Sequence, residues 1–235
     1  MRGGHASIGA AMILSDHILF IDAEALVLNK PAGLPVDAPR RGGDSIAARI
    51  EELKCGFQRP PTAMHRLDTD TSGCLLFART ARGRATFQQA FETRTVEKYY
   101  LAVIGSELPE AQGVIDVPLA KTSSERAGWR IVADDHGLEA TTRWRRIAIR
   151  EGTTLVEFRP LTGRTHQIRA HAREAFGRGI VGDRVYGVPG GPMLLHASRL
   201  IVPRERKPTI DVMAPLPDFF GEWRGFDKLG TENAA

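Results

Sequence analysis

The sequence predicts an α+β fold with a core formed by a largely antiparallel, mixed β-sheet that is flanked by helices and loops. Short apolar runs of strand length, rich in β-branched and aromatic residues, recur between turn-forming residues along most of the 235-residue chain. Only three segments carry apolar residues at helical spacing. Many strands with few helices are typical of this class. A chain of this length can bury a substantial core, as one large domain or as two fused sub-domains.

The first hundred residues contain strands and two of the helical segments. Residues 18–33 predict two short strands joined by a polar turn, and they end in a Pro-Ala-Gly turn. Residues 45–55 have helical spacing, with Asp44 or Ser45 as the N-cap. The apolar run at 73–80 predicts a buried strand, and the helical segment at 81–93 follows it directly.

The remainder predicts more strands and the third helix. The strand-like segments are 98–105, 113–120, 137–150, 153–161, 194–203 and 208–217. Residues 165–177 have helical spacing, and Gly177 is placed to end that helix. Residues 121–138 predict a loop rich in hairpins.

Composition and charge exclude some classes of protein. Hydrophobic residues make up 42% and charged residues 26%, which is ordinary for a globular protein. No apolar stretch approaches the roughly 20 residues that cross a bilayer, and the N-terminal segment lacks the features of a secretory signal. We therefore predict a cytoplasmic protein without membrane association. It is expected to form one domain over residues 1–235, with a core at about 17–220 and flexible ends at 1–12 and 228–235.

The net charge of +4 favours a polyanionic partner only weakly. Arginine, which binds phosphate through two parallel hydrogen bonds and stacks on bases, clusters at residues 78–85 and 141–150. A solvated basic surface would have the same composition. Cys55 and Cys74 lack a second cysteine at metal-ligand spacing, and we expect both to be reduced thiols.

The most informative segment is the turn before the buried strand, with the sequence HRLDTDTSG at residues 65–73. It places the carboxylate of Asp68 near Arg66 and His65, among Thr, Ser and Gly residues that favour a tight turn. A short turn on a rigid strand can hold a reactive group in place. From these residues alone, Asp68 could equally cap the turn while Arg66 pairs with a surface acid.

This segment resembles the signature loop of the RluA-type pseudouridine synthases, a family with an essential catalytic aspartate. The other blocks of the chain resemble that family's blocks in the same order, over residues 17 to 220. These blocks are LVLNKPAGLPV, EKYYLAVIG, RPLTGRTHQIRAHA, IVGDRVYG, LLHASRL and IDVMAPLP. The resemblance implies the pseudouridine synthase catalytic fold.

The resemblance also implies which residues act. Asp68 matches the catalytic aspartate, Tyr100 the active-site tyrosine, and Arg169 the basic residue that pairs with the aspartate. Tyr99 falls on a variable position. Arg66 matches the arginine that fills the gap left by the flipped base.

Further RNA contacts are expected from neighbours in the same motifs, namely His65, Arg164, His166 and Gln167. His166 and Gln167 are also expected to order the active-site helix. One position departs from the family pattern, because Leu138 stands where Lys is common, which puts an RNA contact in doubt. Since about 16 residues precede the first strand, the chain resembles minimal members that lack the N-terminal RNA-binding module.

The implied reaction breaks the bond between C1′ and N1 of uridine and joins C5 to C1′. It is an isomerisation, catalysed by an intramolecular transferase, and it needs neither a cofactor nor a metal. Asp68 would attack C1′ or remove a ribose proton, so it has to be ionised, and a permanently charged arginine is a suitable partner. The expected partner is a stem-loop of ribosomal or transfer RNA, bound by a monomer, with the target base extruded.

Three other functions fit parts of the sequence. A metal hydrolase could use His65, Asp68, His166, His171 and His196, but the two helical histidines are five residues apart and arginines crowd them. A non-catalytic RNA-binding protein would not need Asp68, Tyr100 and Arg169 together. A glycosidase needs a second acid, and Asp70 lies in the same turn and is expected to shape it.

Overall fold

The computed structural model describes residues 12–124 and 128–231, with the side chains of 12–123 and 128–226. Within these ranges ten strands form one mixed sheet that is mostly antiparallel, and two more strands form a separate hairpin. Two α-helices and three 3-10 segments complete the described secondary structure. The predicted α+β class is therefore confirmed.

The strands are β1 (Ile18–Ile21), β2 (Ala25–Lys30), β3 (Thr62–Ala63), β4 (Ser72–Ala78), β5 (Glu97–Ile104), β6 (Gln112–Asp116), β7 (Leu119–Ser124), β8 (Gly128–Ala133), β9 (Thr141–Arg150), β10 (Thr153–Pro160), β11 (Leu195–Val202) and β12 (Ile210–Met213). The α-helices are α1 (Ala81–Glu92) and α2 (Gln167–Phe176), and the 3-10 segments are Leu14–His17, Ile50–Leu53 and Asp218–Thr231. Strands β7 and β8 form the separate hairpin.

The centre of the sheet joins parts of the chain that are distant in sequence. The strand order is β1, β2, β4, β11, β5, β10, β9 and β6, with β3 beside β4 and β12 beside β11. Among these pairs only β4 and β11, both fully described, run parallel. Ser72 of β4 lies opposite His196 of β11, which lies opposite Leu101 of β5. The start of β4 is therefore level with the middle of β5, with one strand between them.

The parallel pairing of β4 and β11 requires glycine at position 73. Gly73 has a φ of 106° and lies opposite Ala197. A Cβ atom at this position would collide with the carbonyl oxygen of Ala197. Glycine therefore lets the two backbones approach, and the turn that precedes β4 is held close to β11.

Each α-helix is capped at one end, and the Gly177 terminus of α2 is the one that the sequence predicts. Helix α1 follows Thr80, whose Oγ1 accepts a hydrogen bond from the Gly83 N–H at 3.0 Å, and it packs Phe87 into the core. Helix α2 packs Ile168 against the sheet and ends at Gly177, which has a φ of 65°. The fold thus fixes the first turn of α2 against β9 and β10.

The α-helix predicted at 45–55 was wrong. The chain forms turns there and then the 3-10 segment Ile50–Leu53, although the Ser45 Oγ does accept a hydrogen bond from the backbone N–H three residues later. The Arg49 guanidinium binds Glu52, also three residues later, with Nε and Oε1 2.8 Å apart. Side chains three residues apart align in a 3-10 helix, so this ion pair favours the tighter turn.

Two further predictions concern loops and ends. The hairpin predicted within 121–138 is present as β7 and β8, and residues 125–127 lie outside the described residues. The ends expected to be flexible, 1–12 and 228–235, also lie outside them, apart from Met12 and the backbone of 228–231. No helix in the described ranges is long and apolar enough to cross a bilayer.

Candidate active site

A short turn before β4 carries Asp68. The Asp68 carbonyl accepts a hydrogen bond from the Thr71 N–H at 3.1 Å, which closes the turn. The next carbonyl, that of Thr69, accepts hydrogen bonds from the Gly33 N–H and from the Lys30 ammonium, each at 2.9 Å. Lys30 is fully buried and donates to two further carbonyls of its own segment. Lys30 and Gly33, on either side of Pro31 and Ala32, therefore hold the backbone of the turn in place through the Thr69 carbonyl.

Tyr100 reaches the same place through the register of the sheet. It precedes Leu101, which is level with the start of β4, and its ring packs between two hydrophobic clusters. Asp68 and Tyr100 line one pocket. Burial, and then the negative charge of Asp68, raise the pKa of the Tyr100 phenol above its ordinary value of 10. The phenol is therefore protonated at neutral pH.

Arg169, in the first turn of α2, binds two carboxylates at once. Its Nη1 donates to Asp68 Oδ2 at 2.8 Å, while Nε and Nη2 donate to the two oxygens of Asp183 at 2.7 and 2.9 Å. The Asp183 side chain is fully buried, whereas that of Asp68 is 20% exposed. Asp183 therefore fixes the guanidinium, and the guanidinium orients Asp68 toward the open side.

The contacts among Asp68, Arg169 and Asp183 stabilise the charged forms of Arg169 and Asp183. Burial alone would lower the pKa of Arg169, but the hydrogen bonds and charges of Asp183 and Asp68 raise it above its ordinary value. Burial alone would raise the pKa of Asp183, but Arg169 and two backbone N–H groups lower it overall. Two carboxylates and one guanidinium leave the cluster with one net negative charge.

The pocket has a volume of about 290 Å³ and is open to solvent. Tyr100, Leu195 and Ile168 contribute apolar surface, while Asp68, Arg169 and Lys98 contribute charge. Within the described residues, no hydrogen bond reaches Asp68 Oδ1. This oxygen is thus available to a molecule that enters the pocket.

His166 does not belong to the helix in which it was predicted. It has a left-handed backbone, with a φ of 52°, and helix α2 begins after it. This conformation turns the ring toward Tyr186, so that Nδ1 lies 2.9 Å from the phenol oxygen, and Nε2 lies 3.7 Å from Asp68 Oδ2. Trp129 of the β7–β8 hairpin stacks on the ring at a centroid distance of 4.9 Å. His166 thus lies between the Asp68 turn and the hairpin.

Gln167 uses its amide within the protein. Its Oε1 accepts hydrogen bonds from Thr162 Oγ1 and the Arg164 N–H, at 2.8 and 2.9 Å. Its Nε2 donates to the Thr141 carbonyl and to Thr142 Oγ1, at 3.1 and 2.9 Å. Two of these bonds fasten the start of α2 to β9, and the other two fasten it to the segment between β10 and α2, in agreement with the expected ordering role.

The three other residues predicted to contact RNA all line the pocket. Arg66 is exposed and pairs with Asp37, with Nη1 and Oδ2 3.2 Å apart. Arg164 donates from Nε to the Glu139 carbonyl at 2.9 Å. His65 accepts a hydrogen bond from the β4 backbone, and burial together with the Lys98 charge lowers its pKa to about 3. Arg66 and Arg164 are therefore the charged members of this group.

The histidines considered as metal ligands have other partners. His171 contacts Thr142 Oγ1 and the Val117 carbonyl, at 2.9 and 3.0 Å. His196 contacts Ser72 Oγ at 2.8 Å, and burial lowers its pKa to about 4. Across the described residues no group of three His, Cys, Asp or Glu side chains is arranged to hold a metal ion.

Four residues of the site were not predicted from the sequence: Lys30, Lys98, Asp183 and Tyr186. All four lie in blocks that resemble the family, NKPAG, EKYY and GDRVYG. The resemblance therefore included these residues, but it assigned no role to them. The Tyr186 phenol donates to or accepts from His166 and accepts a hydrogen bond from the Ile131 N–H at 2.8 Å, which joins the hairpin to the site.

Comparison with known proteins gives consistent matches to one family. The family model described as RNA pseudouridylate synthase matches residues 24–174. An RNA pseudouridine synthase of Zymomonas mobilis is 47% identical over 88% of this chain and 97% of its own length. A ribosomal large subunit pseudouridine synthase D of the same organism is 36% identical over 72% of this chain and 55% of its own length.

A solved structure supports the same assignment. The protein called human RNA pseudouridylate synthase domain containing 4 superposes with a TM-score of 0.74 at 26% identity. The superposition covers 88% of this chain and 91% of the human one. The chain therefore belongs to the RNA pseudouridylate synthase family, whose members are isomerases.

Proposed function

We propose that this chain isomerises specific uridines of ribosomal or transfer RNA to pseudouridine, with Asp68 as the catalytic carboxylate. The observation that carries the proposal is the position of Asp68. Its Oδ2 is held by Arg169 at 2.8 Å, and the carboxylate faces a pocket that Tyr100 also lines. Two of the proteins that resemble it carry pseudouridine synthase names, and one of these names specifies the ribosomal large subunit.

The residues of the pocket suit the chemistry of the reaction. Asp68 Oδ1 would approach C1′ of the bound uridine and act as a nucleophile or take a ribose proton, while Arg169 orients the carboxylate. The flat ring of Tyr100 would support the uracil, and its hydroxyl would stand near C5. Because the phenol is protonated, the proton that C5 loses would pass to water. None of these steps uses a cofactor.

Access to the base requires that the uridine leave the stack of its stem-loop, at a cost of a few kcal/mol. Arg66 is suited to fill the vacated space, since its side chain is 71% exposed and stands next to the catalytic turn. Both side chains of the Arg66–Asp37 ion pair are exposed. Exposed ion pairs contribute little to stability, so RNA can displace Asp37 from Arg66. A cytoplasmic location and a monomeric state stay predictions.

The substrate is tested by mapping pseudouridine in total RNA from cells with and without the protein. We expect one or a few uridines of ribosomal or transfer RNA to lose the modification in the deletion strain, and purified protein to restore it in vitro without added cofactor. A chelator should leave the rate unchanged. If no uridine changes in cells and none is modified in vitro, the proposed function is wrong.

Replacement of Arg66 tests base extrusion. We expect Arg66→Ala to lower kcat/KM by about 10- to 100-fold on a stem-loop, since the contact that compensates unstacking is lost. The loss should fall below about threefold on a single-stranded RNA, where little unstacking is needed. Asp37→Ala is the matched control, because it removes the partner of Arg66 and leaves the guanidinium free. Equal losses on both RNAs would contradict this role.

A further inference from the structure

Lys98 is a cation of the pocket that the chemistry above does not use. It lies on β5 two residues before Tyr100, so that both side chains project from the same side of the strand. It lines the pocket together with Asp68 and Tyr100. No hydrogen bond or ion pair of its ammonium occurs among the described residues, unlike Lys30, which donates to three carbonyls.

The surroundings of Lys98 withdraw it from water without supplying a counter-ion. Burial lowers the pKa of Lys98, and no neighbouring carboxylate offsets this effect. The Lys98 charge in turn lowers the pKa of His65. A partly buried ammonium without a partner is costly in the free protein, and an anion that binds beside it recovers part of that cost.

A second cleft continues from the pocket at Lys98. It has a volume of about 280 Å³ and shares Lys98, Gly163 and Arg164 with the pocket of Asp68. Gly163 leaves the space beside the Lys98 ammonium unfilled. A Cβ atom at this position would occupy part of that space, 3.7 Å from Lys98 Nζ. Arg94 also lines this cleft.

The charges of the cleft favour an anion. Arg164 uses only its Nε in a described hydrogen bond, and Arg94 pairs loosely with Glu139 at 3.7 Å, both side chains being exposed. Glu92 is the carboxylate of the cleft, and it accepts a hydrogen bond from Gln88 at 2.9 Å. The cleft is therefore lined by three basic side chains and one acidic one, and a second acid, Glu139, is paired with Arg94.

We infer that Lys98, with Arg94 and Arg164, binds an RNA phosphate next to the target nucleotide. This inference rests on the proposed function. When the uridine occupies the pocket with its C1′ at Asp68, the adjoining phosphate has to lie in an opening next to that pocket. The cleft at Lys98 begins in the pocket itself and presents positive charge, which suits a phosphate rather than an uncharged base.

The test compares Lys98→Met, which keeps the length of the side chain, with Lys98→Arg, which keeps the charge. For a stem-loop with a single loop uridine, we expect Lys98→Met to weaken binding about tenfold at low salt. The slope of log Kd against log salt should fall by about one, as for one lost phosphate contact. Lys98→Arg should retain most of the affinity.

The phosphate itself is located with RNAs that carry an uncharged methylphosphonate on one or the other side of that uridine. One of these RNAs should bind wild type about tenfold more weakly, and Lys98→Met should lose less than about twofold on the same RNA. Lys207→Met is the control, because Lys207 pairs with Glu24 at 3.3 Å and lies in neither cleft. Thermal unfolding confirms that all variants are folded.

Other outcomes overturn the inference. An unchanged Kd and salt slope for Lys98→Met would exclude a phosphate contact. A reduced kcat with unchanged affinity would place Lys98 at the base instead. If both methylphosphonate RNAs lose the same affinity, in wild type and in Lys98→Met alike, a contact between Lys98 and one particular phosphate is excluded. If wild type binds as expected but forms no pseudouridine, the proposed function fails while the phosphate site stands.

Discussion

Asp68→Asn is expected to reduce turnover to less than about one ten-thousandth of wild type while RNA affinity stays within about threefold. The substitution keeps the shape of the side chain and one oxygen that can accept a hydrogen bond from Arg169 Nη1. In wild type this nitrogen lies 2.8 Å from Asp68 Oδ2. It removes the negative charge and the nucleophilic or basic oxygen that faces the pocket. Binding energy from the rest of the RNA is unaffected, so kcat falls and Kd does not.

Asp70→Asn is the matched control for this prediction. Asp70 lies two residues along the same turn, is exposed, and does not line the pocket. It should keep activity within about twofold, since the reaction does not use it. Rates are measured in single turnover with the mapped RNA, and affinities by filter binding. Asp68→Asn activity above about one hundredth of wild type would show that another group performs the chemistry.

The strands that build the site could be predicted from local pattern, but their register could not. Alternation and apolar runs indicated β4 and β5 within a few residues. The proximity of Asp68 and Tyr100, however, depends on β11, which inserts between those strands from a position about a hundred residues further on. No local pattern contains such a long-range pairing, so the juxtaposition was predictable only through the family resemblance.

The helical segments show where periodicity is insufficient. At 45–55 it indicated helical geometry without distinguishing an α-helix from a 3-10 segment, and an Arg49–Glu52 ion pair favoured the latter. At 165–177 it placed the helix start too early, because a non-glycine residue at φ 52° is rare and leaves no mark in an apolar pattern. The rotation of His166 out of the helix is what brings its ring to Asp68.

The partner of Arg169 was predicted only in part. The resemblance implied a pair with Asp68, and the two atoms are 2.8 Å apart. Asp183 was not predicted, since an aspartate after Gly182 is typical of an exposed turn. Its burial arises only when α2 and the segment after it fold together, and it makes Arg169 a structural residue as well as a functional one.

Arg169→Met is therefore expected to abolish turnover and to lower the free energy of unfolding by about 3–5 kcal/mol. The Asp183 side chain has 0% exposure and would keep its charge without the two hydrogen bonds that Arg169 donates. Asp68 would lose its orienting contact at the same time. Urea unfolding near neutral pH measures the first effect and single-turnover kinetics the second.

The pH dependence separates this mechanism from simple loss of packing. In wild type Arg169 holds the pKa of Asp183 below its ordinary value of 3.8, so Asp183 contributes stability above that pH and loses it as the pH falls further. In Arg169→Met the two backbone N–H groups still bind Asp183 but the guanidinium is gone, so the Asp183 pKa rises relative to wild type. The destabilisation is therefore largest near neutral pH and decreases as the carboxyl becomes protonated in the variant. A stability defect that stays constant from neutral pH to well below the ordinary Asp pKa of 3.8 would contradict a charge-based cause.

A double variant divides the two roles of Arg169. Arg169→Met combined with Asp183→Asn removes the buried charge, and we expect it to recover about 2 kcal/mol or more of the lost stability. Turnover should stay absent, because Asp68 still lacks the guanidinium that orients it. Recovery of stability without activity would assign the Asp183 contact to folding and the Asp68 contact to catalysis. Recovery of both would mean that Asp68 needs no cationic partner, and the role proposed for Arg169 in the reaction would be withdrawn.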